Sequence, residues 1–170
     1  MRLTDGTNRL IEFTDGVLEV LPMPTPKHQA ILRFLLFALA AFLHPRGGTV
    51  FFAALRMLIR PGKYREPDLL AVLDAADPRI GTAFWRGADL VMEVVSPDNP
   101  ERDLVVKRAD YAEGGIPEYW IVNPLDATIT VLCLTEAGYT EHGLFHRGET
   151  ATSALLPDFA VAVDAALDAK

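Results

Sequence analysis

The sequence predicts an α/β fold: a mixed central β-sheet flanked by two main helices, with an N-terminal β-hairpin. Three observations point to the sheet and helices. Short apolar runs recur between turn residues, and LVMEVV at 90–95 is near-continuous, as in a strand covered on both faces. The segment from Ala30 to Leu43 is apolar all round, which reads as a buried helix. A second helix lies between the start signal Asn99-Pro100 and the stop signal Gly114-Gly115.

Taken in order, RLIEFTDGVLEVL at 9–21 places two apolar segments around Asp15-Gly16, a dipeptide suited to the positive φ angles of a tight hairpin. The prolines of PMPTP forbid regular pairing and lead to the first helix, capped near Thr25 with Pro26 in its first turn and ending around Leu43 to Pro45. TVFFA and LRMLI are expected to pair across Ala53-Ala54, with PGKY as the next turn and REPDLLAVL as another strand. Residues 74 to 87, with Pro78, Gly81 and Gly87, read as a surface loop before LVMEVV. The second helix is placed at 100 to 113, where Glu101 and Asp103 complement its dipole. PEYWIVNP and TITVLCL follow as strands, Gly138 to His146 as a short pair, and the tail ends in small residues and PDFAVAV.

A chain of 170 residues, 50% hydrophobic and 23% charged, fits a single domain over 1–170. The apolar run at 30–43 covers only 14 residues and contains Arg33, whereas a membrane span needs about 20, so no membrane association is expected. The N-terminus does not read as a signal peptide, and a cytoplasmic location is the default expectation. Cys133 stands alone inside ITVLCL, which excludes an intramolecular disulfide and fits a small core side chain. A net charge of −7 argues against broad nonspecific nucleic-acid binding.

The chemistry starts from Glu93, a carboxylate in the middle of an apolar strand. Burying it ionised costs several kcal/mol unless it is paired or meets a cation. Asp68, just inside the start of the DLLAVL strand, meets Glu93 if the two strands are neighbours. Two acids from adjacent strands make a site for magnesium, with manganese as a substitute, because such ions take one or two protein carboxylates and fill their shell with water and phosphate oxygens. Asp103, Lys107 and Tyr111 recur every four residues and share one side of the second helix. An ammonium there could orient an attacking water or stabilise charge building on a phosphate. Acids, cation and lysine together point to metal-dependent phosphodiester hydrolysis.

At these residues the chain resembles the bacterial Uma-two family of restriction-endonuclease-like proteins. The resemblance runs through IEFTDGVLEVLPMPTPKHQ, REPDLLAV and LVMEVVSPDNPERDLVVKRADYAEGGIPEYWIVNP, nearly the whole chain. It implies a restriction-endonuclease-like core, the PD-(D/E)xK nuclease superfamily and DNA as the substrate. Pro67-Asp68 supplies the first acid of that pattern and Glu93 the second, but the triplet reads Glu93-Val94-Val95, so its lysine is missing. The resemblance assigns that role to Lys107 on the helix. Asn123 stands where the family often has aspartate and reads as a turn residue.

The catalytic set is therefore Asp68, Glu93 and Lys107, with Asp68 and Glu93 on the metal and Asp103, Tyr111 and His28 in support. Each has a plainer reading. Asp68 and Glu93 could be satisfied by amides or by an arginine such as Arg56 or Arg65. Lys107 with Asp103 could be an ion pair on a solvated face, Tyr111 a packing residue, and His28 a structural residue at a helix start. Glu12 and Glu19 read as solvent-facing charges on the hairpin, one of them an optional extra acid. His44, His142 and His146 lack ligand-like spacing. The rival function is a noncatalytic nucleic-acid-binding or scaffold module. A homodimer is expected, formed through the apolar helix at 30–43 or gathering Arg60, Lys63 and Arg65 on one side.

Overall fold

The computed structural model describes residues 11–21 and 23–170. Arg9 and Leu10 of the expected hairpin, and Pro22 after it, lie outside the described residues. Strands β1 (Ile11–Thr14) and β2 (Val17–Val20) turn through Asp15 and Gly16 at φ 48° and 93°. Helix α1 (Pro26–Leu43) starts at Thr25, whose side chain accepts a hydrogen bond from the His28 amide, with Pro26 in the first turn. It is not buried all round. Ile31, Leu35, Leu39 and Leu43 recur every four residues and face the core, while Phe37 is 65% exposed. Because the other side of α1 is also apolar, the stretch 26–46 has a mean hydropathy of 1.3 and is long enough to cross a membrane by length and composition alone, as core helices can be.

After α1 come β3 (Thr49–Phe52), β4 (Met57–Arg60), β5 (Lys63–Arg65), β6 (Leu69–Val72) and β7 (Leu90–Val94). The expected pairing of β3 with β4 does not form. β3 pairs with β6 in the main sheet, and β4 turns through Pro61-Gly62 onto β5 in a smaller sheet ordered β2-β1-β5-β4. Adjacency in sequence favoured a hairpin, but the two apolar segments serve different cores. The 74–87 segment is a loop as expected, except that Trp85 is buried and bridges to Met57.

The second helix spans 100–113 but is not uniform. A π-helical turn, Arg102–Val106, leads into α2 (Lys107–Glu113). Then follow β8 (Glu118–Asn123), β9 (Thr128–Thr135) and β10 (Gly138–His146), the last a single strand bulged against β9 rather than a pair. The tail forms a ribbon, β11 (Thr150–Thr152) with β12 (Ala160–Ala162), and a short α3 (Val163–Leu167) that small residues alone did not announce.

The main sheet is mixed, in the order β10-β9-β8-β7-β6-β3, with only β7 and β8 parallel. Side chains alternate across it. Leu90, Met92 and Val94 of β7 join Leu69, Ala71 and Trp120 against α1, while Val91, Leu70, Tyr119 and Ile121 pack with Met57, Trp85 and Tyr111 on the α2 side. Glu93 shares the parity of Val91 and so points toward α2.

A second buried carboxylate has a different environment. Glu118 Oε1 accepts hydrogen bonds from Trp120 Nε1 and Ser153 Oγ at 2.7 and 2.6 Å, and Oε2 accepts from the amides of Ala154 and Leu155, each at 2.8 Å. Three of these four donors, from Ser153, Ala154 and Leu155, tie the loop before β12 to the sheet. Glu118→Ala leaves them without an acceptor and is expected to cost about 3 kcal/mol in urea denaturation. A loss below about 0.5 kcal/mol would show that the loop is held by other contacts.

Candidate functional site

The site forms where the start of β6 meets the end of β7. Leu69 pairs with Met92, and one step further along that register Asp68 faces Glu93. The two acids interlock through the backbone. Asp68 Oδ2 accepts from the Val94 amide at 2.8 Å, and Glu93 Oε2 accepts from the Asp68 amide at 3.4 Å. They lie on one side of the sheet, as the paired-acid reading requires.

The helix supplies the rest. Lys107 Nζ lies 2.8 Å from Glu93 Oε2 and 3.0 Å from Asp103 Oδ1, and the Tyr111 hydroxyl donates to Glu93 Oε1. Asp103 Oδ2 accepts from the Ser96 amide at 3.4 Å. His28 Nε2, from the first turn of α1, is 3.1 Å from Asp68 Oδ2, and its Nδ1 is buried without a hydrogen-bond partner among the described residues. All six residues named from the sequence thus converge. The plainer reading of Lys107 and Asp103 as a solvated pair fails, since both are buried. The arginines are elsewhere: Arg56 pairs with Glu66, and Arg65 with Asp110 and Glu12.

Lys107 pairs with two carboxylates, Glu93 and Asp103, and Asp68, paired with His28, lies beside them. Burial pushes the Glu93 carboxyl well above its ordinary range; Lys107 opposes this, and Asp68 and Asp103 reinforce it. Burial also acts on Asp68, but the His28 bond and the positive charges of His28 and Lys107 outweigh it and hold Asp68 below its usual value. Lys107 is raised despite burial, because Glu93, Asp103, Glu12 and Asp68 all favour its charged form. Tyr111 is pushed up by burial and by Glu93, so its hydroxyl keeps its proton.

Asp68, His28, Asp103, Lys107 and Arg102 line a cavity of about 250 Å³. No group of three or more His, Cys, Asp or Glu side chains is arranged around one point among the described residues. Asp68 and Glu93 are the carboxylates that would hold a magnesium ion, which takes one or two protein carboxylates and otherwise water. Asp68 Oδ1 has no hydrogen bond among the described residues and is the free ligand atom such an ion would use first.

The chain's first 164 residues match the model of the Uma2 family, described as "Putative restriction endonuclease". The chain belongs to the Uma2 family. Among solved structures it is similar to a "putative nuclease belonging to DUF820" from Anabaena variabilis, with a TM-score of 0.78 and 18% identity, over 95% of this chain and 92% of that one. That likeness bears on the fold, a mixed α/β nuclease-like architecture. No curated protein matches the chain. Uma2 membership supports a nuclease function in general, and proteins of the restriction-endonuclease-like kind generally use divalent metals.

Sequence reasoning missed a residue beside this Uma2 site. Glu12, read as solvent-facing, is 1% exposed. It pairs with Arg102, accepts from the Glu66 amide at 3.2 Å, and Arg102 in turn reaches Glu19. The alternation of the hairpin put Glu12 on one face, but only the approach of Arg102 and Arg65 shows that this face is covered. Arg60, Lys63 and Arg65 do gather on one side, yet Asp15, Asp110 and Glu113 neutralise them. They offer no free cationic patch. Asn123 behaves as a turn residue, donating to Asp126 and accepting from the Leu125 amide.

Proposed function

We propose that the chain is a magnesium-dependent endonuclease that hydrolyses phosphodiester bonds of DNA, with manganese able to substitute. The observation that carries this reading is the cluster in which Lys107 pairs with Glu93 and Asp103 and the Asp68 amide meets Glu93, beside a cleft lined by Asp68, Asp103 and Lys107. Asp68 and Glu93 would hold the metal, which supplies Lewis-acid charge to the phosphate and makes water more acidic. Lys107 keeps its positive charge at the cleft, where it stabilises negative charge developing on the phosphate and orients the attacking water. Asp103 fixes the ammonium from the other side. Tyr111 holds the Glu93 carboxylate in place through its Oε1, and His28 positions Asp68.

The same reading places the protein in the cytoplasm as a homodimer, with the exposed apolar side of α1 as the joining surface; sedimentation would detect the dimer. The deciding experiment is cleavage of plasmid and oligonucleotide DNA with magnesium or manganese. Wild type is expected to cut, and chelation of the metal or Asp68→Asn to stop it. Cleavage that survives chelation would overturn the metal assignment. Binding of DNA without any cleavage would make the protein a noncatalytic module on a nuclease fold.

A further inference from the structure

We propose that the cleft receives a single unpaired nucleotide of a DNA strand, so that the substrate is single-stranded or locally opened DNA and not intact duplex. This rests on the nuclease reading of the same site, and it concerns what that site admits.

The first observation is depth. Asp103 and Lys107 line a cavity of about 250 Å³ and are only 4% and 5% exposed, and Glu93, paired with Lys107, is 1% exposed, so the polar groups sit below the surface. That is room for one nucleotide. A phosphodiester inside a stacked helix is flanked by paired bases and reaches such a floor only if its nucleotide leaves the stack.

The second observation is the wall. Met23, Pro24, Pro97, Pro124 and Leu125 line the cavity, and Met23 and Leu125 are 84% and 51% exposed at its rim. A protein that tracks duplex DNA carries lysine and arginine there, because the duplex presents a negative charge about every 1.7 Å. Here the rim offers apolar surface, which suits the face of a base.

The third observation is charge. The chain carries −7 overall. Of the cations lining the cleft, Arg102 is held by Glu12 and Glu19, Lys107 by Glu93 and Asp103, and Lys27 by the Ala169 carbonyl. Lys107 and Arg102 line the same cavity, His28 there is bonded to Asp68, and among the described residues every cation on this lining already has a partner, so it offers no row of free cations for a duplex backbone. A strand that already exposes its bases avoids the cost of unpairing and presents fewer charges to an acidic protein.

The test uses one fluorescent oligonucleotide as a single strand, as a blunt duplex, and as a duplex with a central unpaired loop. With magnesium, kcat/KM is expected to be at least about tenfold higher for the single strand and the loop than for the duplex. Leu125→Asp and Met23→Asp put a negative charge on the wall and are expected to raise KM for the single strand about tenfold, with kcat and magnesium affinity little changed. Equal or faster cutting of duplex overturns the proposal, as does an unchanged KM in both variants. If no DNA is cut, the nuclease reading falls by itself, and fluorescence anisotropy decides this inference. Tighter binding of the single strand supports it, and equal or absent binding overturns it.

Discussion

Replacing Glu93 by glutamine is expected to abolish magnesium binding while leaving the protein at least as stable as wild type at neutral pH. The two effects have one cause. Glutamine keeps the shape and can keep the bonds: its carbonyl can accept from Lys107 and the Asp68 amide, and its NH2 can donate to the Tyr111 hydroxyl. What it removes is the ionisable carboxyl that stands beside Asp68, Asp103 and Lys107. The folded-state pKa of Glu93 lies well above 4.5. Its contribution to stability is therefore complete below about 4.5 and is lost as pH rises through the raised value. Wild type should lose stability over that window, and Glu93→Gln should not. Magnesium affinity should fall by about 100-fold or more, since even residues behind a ligand matter by 10- to 100-fold. Thermal unfolding with and without magnesium, at several pH values, reads both effects. A variant much less stable than wild type at pH 7, or one still stabilised by magnesium, would contradict this account.

Lys107→Met should have the opposite effect on stability. Methionine fills the space of the lysine stem but leaves Glu93 and Asp103 buried without their shared cation. Breaking a buried pair in this way costs about 3–5 kcal/mol. Magnesium should return part of that loss, because a divalent ion supplies the missing positive charge. Turnover should not return. The ammonium's work at the phosphate is lost, and a drop of about 100-fold or more in single-turnover cleavage is expected. Urea denaturation with and without magnesium, beside the cleavage assay, separates the two roles. Full activity in Lys107→Met would leave Lys107 a structural residue only.

Much of this was legible in the sequence because the signals were local. Thr25-Pro26 and Asp15-Gly16 are cap and turn chemistry, and the four-residue spacing of Asp103, Lys107 and Tyr111 needed only a helix to become one face. The pairing of Asp68 with Glu93 followed from two strands being neighbours. Tertiary choices were less legible. β3 and β4 are adjacent in sequence but pack into different sheets, and Glu12 of the small sheet is buried where Arg102, distant in sequence, meets it. Glu118 is the instructive case. It carries the same signal as Glu93, a carboxylate in an apolar strand, yet its four partners are neutral donors and its work is to hold a loop. What separates the two is the charge of the neighbours, and a single strand's sequence does not contain it.

Calorimetric titration of magnesium tests the central idea most directly, that crowded acids at the β6–β7 junction form a divalent-cation site. The account predicts one saturable site in the wild type and no site in Glu93→Gln. A wild-type chain that takes up no ion, or one whose binding is unchanged by that substitution, would contradict it.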